Sequence, residues 1–149
     1  MGQKRIFVLH GPSLNLLGTR EPHIYGTTTL AELDAGLAEK GAVLDVEIIC
    51  RQSNHEGQLI DWIHEAKGKA DGLILNAGAY THTSVALMDA VSAVKLPMIE
   101  VHLSNPHARE AFRHHSYLSP VAIGVICGFG VRSYELALDA LCHRLRTQS

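Results

Sequence analysis

Short runs of apolar residues alternate along this chain with longer segments in which apolar residues recur every three or four positions. The short runs predict β-strands at 6–9, 43–50, 73–75, 97–103 and 121–126. The longer segments predict helices at 30–40, 59–66, 85–94 and 133–144. Strands that alternate with helices form βαβ units, and such units build a parallel sheet.

This alternation predicts an α/β protein with three layers, in which helices cover both faces of a five-stranded parallel sheet. The expected fold is flavodoxin-like, with strand order 2-1-3-4-5 and a single domain over 1–149. Gly41 is predicted to end the first helix. In such folds ligands bind beyond the carboxyl ends of the strands, so the candidate site comprises the loops at 10–28, 76–83 and 104–119.

Charge, the length of the first apolar run and the cysteine pattern limit the partners and the location that we expect for the protein. The 149 residues carry 13 basic and 15 acidic side chains, a net charge of -2, so we expect no nucleic-acid partner. The first apolar run, 6–9, is too short to span a membrane. Three cysteines without a C-x-x-C pair favour free thiols and a cytoplasmic location.

The loop at 10–28 contains a candidate base. Gly18 and Gly26 bracket a segment that includes Arg20 and Tyr25. A free phenol ionises near pH ~10, and a neighbouring cation favours the phenolate, so such a pair can supply a base near neutral pH. Spacing alone favours a simpler interpretation, a surface loop with a solvated arginine and a packed tyrosine.

The loop at 76–83 leads from a strand into a helix, whose first N–H groups attract anions. Asn76 and His82 add side chains that can bind a ligand, and Thr81 or Thr83 is predicted to cap the helix. The alternative is an ordinary capped turn with His82 facing solvent.

Glu100 and His102 share one face at the end of an otherwise apolar strand. A carboxylate next to an imidazole fixes its tautomer and favours its protonated form, which makes His102 a candidate general acid. A structural ion pair is the alternative. Arg113 can bind a carboxylate through two hydrogen bonds, unless it belongs to a solvated helix end one turn from Arg109.

Motifs for metals and nucleotides are weak or missing. No group of histidines and cysteines has metal-ligand spacing, and the G-F-G turn at 128–130 lacks the third glycine of a dinucleotide site. We therefore expect neither a metal nor a cofactor.

Five motifs are distributed over most of the chain. They are GPSLNLLGTREPHIYG (11–26), RQSN (51–54), NAGAYTHTSVAL (76–87), EVHLSN (100–105) and HAREAFRHHSY (107–117). In this order they resemble the type II 3-dehydroquinate dehydratase family. The resemblance implies dehydration of 3-dehydroquinate to 3-dehydroshikimate, a step of the shikimate pathway toward aromatic amino acids, with no metal or cofactor.

The resemblance also implies roles for individual residues. Tyr25, next to Arg20, would remove a proton beside the ketone to give an enolate. His102, supported by Glu100, would protonate the leaving hydroxyl. The implied substrate-binding residues are Asn76, His82, Leu103, Ser104 and Arg113. Asp89 would reach the site of a neighbouring subunit in a homododecamer built from trimers.

Ser13 departs from the family pattern, which has asparagine at the site of a water that stabilises the enolate. Loss of a donor to an oxyanion costs about 10²–10³ in rate. One alternative is therefore a catalytically weakened member that acts as a ligand-binding or assembly protein. Another, from the fold alone, is a flavodoxin-like module that binds a mononucleotide. Met88, where relatives often carry arginine, is expected to affect a subunit contact.

Overall fold

The computed structural model describes residues 2–148 and contains a five-stranded parallel sheet in the order β2-β1-β3-β4-β5. The strands are β1 (Lys4–His10), β2 (Val46–Gln52), β3 (Gly72–Asn76), β4 (Met98–His102) and β5 (Gly124–Cys127). The α-helices are α1 (Pro22–Tyr25), α2 (Leu30–Val43), α3 (Glu56–Ala66), α4 (Val85–Val94) and α5 (Arg132–Thr147). The predicted fold class and strand order are confirmed.

Helices cover both faces of the sheet, and each face has its own apolar core. Ile6 and Val8 of β1 pack in the core that includes α2 and α5. Phe7 and Leu9, which alternate with them, pack in the core that includes α3 and α4. Because β1 is buried on both faces, its sequence is a continuous apolar run.

The boundary between α2 and β2 differs from the prediction. The helix continues through Gly41 to Val43, and Asp45 after it adopts a left-handed conformation with φ 58°. A Cβ at Gly41 would lie 2.5 Å from Ile48 Cγ1, so this glycine allows the helix to approach β2 and does not end it. The predicted start of the second strand at 43 was therefore wrong.

Two further boundaries depend on local turns. β5 begins at Gly124 instead of 121, because residues 119–121 form a short 3-10 turn. The N-cap of α4 is Ser84, whose hydroxyl accepts a hydrogen bond from the helix backbone, and not Thr81 or Thr83. Within residues 2–148, none of the helices combines the length and apolarity that crossing a bilayer requires.

The carboxyl ends of β1, β3 and β4 lie side by side. His10 pairs with Asn76 across β1 and β3, and Leu75 pairs with Glu100 across β3 and β4. The loops that follow these strands therefore converge at one edge of the sheet.

Candidate active site

A pocket opens at this edge of the sheet. Its lining residues are Pro12, Ser13, Leu14, Arg20, Tyr25, Asn76, Gly78, Ala79, His82, His102, Leu103, Ser104, Pro106, Arg109 and Arg113. The structure thus brings together most of the site residues that the sequence predicts. Glu100 is buried beside the pocket, whereas Asp89 is exposed on α4 and does not line it.

Tyr25 lies on the single turn α1, and two arginines contact it. The Arg109 Nη1 donates a hydrogen bond of 2.8 Å to the Tyr25 hydroxyl. The Arg20 guanidinium lies over the ring, 4.9 Å from its centroid. Both cations therefore face the same side chain, one at its oxygen and one at its ring.

Arg109 is the site residue that sequence reasoning missed. The sequence suggested a helix that would carry Arg109 and Arg113 on one face, but the segment forms 3-10 turns at 106–108 and 111–113. Both arginines nevertheless line the pocket, and both contact Glu110. A contact between residues 84 positions apart leaves no periodic signal in the sequence.

Glu100 is held by three donors. His102 Nε2 lies 2.5 Å from its carboxylate, and the hydroxyls of Ser119 and Ser116 donate to it at 2.7 Å and 3.0 Å. Burial alone would raise the pKa of Glu100, but these hydrogen bonds outweigh burial and hold the pKa below its usual range. A carboxylate that stays ionised here fixes the orientation of the His102 ring.

His82 and Asn76 are also fixed by hydrogen bonds. His82 Nδ1 lies 2.8 Å from the His115 carbonyl oxygen, and its ring stacks on that of His102 at 6.4 Å between centroids. The Asn76 Oδ1 accepts a hydrogen bond of 3.1 Å from the Gly78 N–H. His82 is half-buried in the pocket, so it is not the solvent-facing residue of the alternative interpretation.

Ser13 adopts a left-handed conformation with φ 70°. Its N–H donates a 3.0 Å hydrogen bond to Asn54 Oδ1. Gln52 Nε2 donates to the same oxygen and to the Gly11 carbonyl, both at 3.1 Å. The RQSN motif therefore holds the loop that carries Ser13 against the end of β2.

One cluster of potential metal ligands occurs among residues 2–148. Ligand atoms of His10, Asp34 and Cys50 lie within 4.8 Å of one another. Both nitrogens of His10 are already hydrogen-bonded, and burial, together with Asp34, raises the pKa of the Cys50 thiol. A metal would have to displace these hydrogen bonds and ionise this thiol.

Comparison with known proteins identifies the family. The model of the family described as Dehydroquinase class II matches residues 4–142. The chain belongs to this family. The resemblance to type II 3-dehydroquinate dehydratases, drawn from the motifs, is confirmed.

Individual members of the family are similar over more than nine tenths of both chains. The 3-dehydroquinate dehydratase of Gloeothece citriformis is 63% identical over 146 residues, which are 98% of this chain and 96% of that one. The 3-dehydroquinate dehydratase 2 of Pseudomonas aeruginosa is 57% identical over 95% of each chain. The crystal structure of a type II dehydroquinase from Butyrivibrio crossotus superimposes with a TM-score of 0.92 at 45% identity, over 93% of this chain and 97% of that one.

Proposed function

We propose that this protein is a hydro-lyase that converts 3-dehydroquinate to 3-dehydroshikimate in the shikimate pathway. One observation supports the catalytic roles that we propose for individual residues. An arginine-bound tyrosine hydroxyl and a glutamate-bound histidine line the same pocket. Elimination next to a ketone needs a base, an acid and a means to stabilise the enolate, and these residues supply the first two.

Tyr25 is the proposed base. As a phenolate it takes the proton from the carbon next to the ketone, and the electrons of that C–H bond form the enolate. Arg109, 2.8 Å from the hydroxyl, stabilises the phenolate through a charge-assisted hydrogen bond. Arg20 adds a second positive charge at the ring.

Ser13 is the proposed contact for the enolate oxygen, through a water bound to its hydroxyl. The hydrogen bond from its N–H to Asn54 keeps it at the pocket wall. Its side chain is shorter than the asparagine of the family pattern. We therefore expect Ser13 to limit the rate more than the binding of substrate.

His102 is the proposed acid. Its Nε2 faces Glu100, so the proton for the leaving group comes from Nδ1. The C–O bond breaks, its electron pair leaves with the hydroxyl, and the proton from Nδ1 converts that hydroxyl to water. The enolate collapses to the conjugated enone, and Glu100 stabilises the charged imidazole before the transfer.

The other polar groups of the pocket are proposed to hold the substrate. Arg113 binds the carboxylate, and Asn76 and His82 bind hydroxyls. The backbones of Leu103 and Ser104 complete the contacts. All five line the pocket beside His102.

We further propose that each chain is one catalytic domain of a cytoplasmic homododecamer built from trimers. Asp89, exposed on α4, would reach a neighbouring site, and Val85 one turn away is a 47% exposed apolar residue on the same helix face. The free cysteines are compatible with a reducing compartment. Sedimentation should give the mass of twelve subunits, and a monomer would contradict this assembly.

A turnover assay tests the reaction itself. We expect 3-dehydroquinate to give the ultraviolet absorbance of the conjugated enone. Binding without turnover would instead support the weakened-member alternative, and Ser13→Asn should then restore the rate. A bound flavin, visible as yellow colour in the purified protein, would support the mononucleotide-binding alternative.

A further inference from the structure

Two serines hold the Glu100 carboxylate from the side away from the pocket. The Ser119 hydroxyl donates a 2.7 Å hydrogen bond to Glu100 Oε1, and the Ser116 hydroxyl lies 3.0 Å from each carboxylate oxygen. His102 Nε2 approaches Oε2 of the same carboxylate at 2.5 Å. Neither serine lines the pocket, and the steps proposed above use neither of them.

The Ser116 hydroxyl can act only as a donor to Glu100. Its oxygen accepts hydrogen bonds from the N–H groups of Leu118 and Ser119, at 3.0 Å and 3.1 Å. A hydroxyl has two lone pairs and one proton, so these two backbone donors leave only the proton for Glu100. To accept a proton from a neutral Glu100, Ser116 would have to give up one of its backbone donors. The arrangement therefore favours the ionised carboxylate.

The backbone that carries the two serines is fixed by contacts outside the pocket. The Tyr117 N–H donates a 3.0 Å hydrogen bond to the Thr81 carbonyl. The Leu118 side chain is completely buried, and its carbonyl accepts two N–H groups from the residues that follow. Ser119 begins the 3-10 turn at 119–121. The fold itself therefore holds both hydroxyls at Glu100.

His102 and Cys127 are the titratable neighbours of Glu100 among residues 2–148. Burial, together with Glu100, raises the pKa of the Cys127 thiol, so this thiol stays neutral. The strand partners of Glu100 are apolar, with Leu75 in β3 and Val125 in β5. Apart from the imidazole, the negative charge is thus stabilised by the uncharged hydroxyls of the two serines.

We propose, on the basis of the proposed function, that Ser116 and Ser119 are positioning residues that hold the Glu100 carboxylate in place for the proposed acid. They act through this carboxylate, which keeps the His102 imidazole oriented and charged, with the proton on Nδ1 ready for the leaving hydroxyl. Loss of a serine donor should therefore slow the loss of water from the enolate. It should not slow the removal of the proton by Tyr25.

Ser119→Ala removes the shorter serine contact and keeps the backbone N–H that donates to Ser116. With 3-dehydroquinate in D₂O, the enolate either returns to substrate, now with deuterium, or loses water. The ratio of deuterium incorporation to formation of 3-dehydroshikimate compares these two fates. We expect this ratio to rise about tenfold, as for the loss of one hydrogen bond to a charged group.

Two further variants show whether the effect passes through Glu100. In a Glu100→Gln background the carboxylate is gone, so Ser119→Ala should change the ratio by less than about twofold. Ser119→Thr keeps a hydroxyl and should leave the ratio near that of the unchanged protein. An equal rise with and without the carboxylate would overturn the proposal.

Ser133→Ala is the matched control for lost stability. Ser133 is completely buried, and its hydroxyl accepts a 3.1 Å hydrogen bond from the Phe129 N–H. It does not line the pocket. The substitution should lower the melting temperature and leave the ratio unchanged. The proposal is overturned if Ser119→Ala leaves the ratio unchanged, or if Ser133→Ala raises it equally.

A readout without turnover separates this inference from the proposed reaction. In protein with ¹³C-labelled glutamate carboxyl groups, the NMR signal of Glu100 is the one missing from Glu100→Gln. Its pKa should be higher in Ser119→Ala than in the unchanged protein, because a donor to the ionised form is lost. An unchanged pKa would contradict the positioning role. Failure of the unchanged protein to form 3-dehydroshikimate, with the titration as expected, would contradict the proposed reaction alone.

Discussion

The proposed base, Tyr25, and the proposed acid, His102, are held on two sides of the pocket in different ways. Tyr25 lies on one helical turn of a long loop, half-exposed, and its hydroxyl is held by the side chain of Arg109. Glu100 and His102 end an interior strand and are buried, and Glu100 also accepts hydrogen bonds from two serines. The fold therefore orients the proposed acid in advance, whereas the proposed base depends on side chains that meet across the pocket.

This difference predicts how substitutions will act. A change on the side of Tyr25 should alter the rate and leave the free energy of unfolding nearly constant. A change at Glu100 should alter both, because it leaves buried donors without their acceptor.

Tyr25→Phe should have the largest effect on rate. Loss of a general base lowers kcat by about 10²–10⁴-fold. The melting temperature should stay within about 2 °C, because the lost hydroxyl is bound only at a partly exposed site. Tyr117→Phe, which removes a tyrosine hydroxyl outside the pocket, is the control and should leave kcat unchanged. Full activity of Tyr25→Phe would exclude it as the base.

Glu100→Gln should lower both rate and stability. The amide cannot accept all the hydrogen bonds of His102, Ser116 and Ser119, so we expect a loss of about 1–3 kcal/mol in the free energy of unfolding. The proposed acid loses its anionic partner, and kcat should fall by about 10²-fold. Glu47→Gln, at an exposed ion pair with Arg5, should change neither quantity appreciably. An unchanged melting temperature for Glu100→Gln would contradict the expectation that Glu100, unlike Tyr25, contributes to stability.

The two arginines at Tyr25 should differ in importance. Arg109→Lys replaces the group that donates to the hydroxyl, and we expect a loss of about tenfold in kcat. Arg20→Lys keeps a positive charge near the ring, and the loss should be about threefold. Steady-state kinetics of both variants measures this order. The opposite order would mean that Arg20, and not Arg109, is the more important partner of the Tyr25 hydroxyl.

The lowered pKa of Glu100 predicts a smaller effect, on how the free energy of unfolding depends on pH. The unfolded carboxyl binds its proton at a higher pH, near ~4.3, than the folded one. Stability from this shift is complete above the unfolded value and is lost as the pH falls through the lower folded pKa. Urea unfolding at a series of acidic pH values should show a shallower decline for Glu100→Gln. Identical declines would contradict the shift.

Local patterns predicted the fold and part of the site. The buried run of β1 indicated a strand covered on both faces, and the period of two placed Glu100 and His102 together. The end of α2 was predicted wrongly because Gly41 is needed for close packing against Ile48. The sequence pattern alone does not show this contact.

Other side-chain contacts, in the site and in the core, depend on the tertiary structure. Arg109 meets Tyr25 across 84 residues, and Tyr134 meets His10 across 124. Neither pair lies within one helix or strand, so neither produces a periodic signal. The sheet order alone places the ends of β1, β3 and β4 together, and the loops then bring Arg109 and Tyr25 into contact.

Hydrogen exchange at the substrate carbon next to the ketone tests the division of roles most directly. His102→Ala and Tyr25→Phe would each be incubated with 3-dehydroquinate in D₂O and followed by NMR. If Tyr25 forms the enolate before His102 releases water, His102→Ala should incorporate deuterium faster than it forms 3-dehydroshikimate. Tyr25→Phe should do neither. Deuterium incorporation by Tyr25→Phe at the rate of the unchanged protein would contradict the assignment of the base.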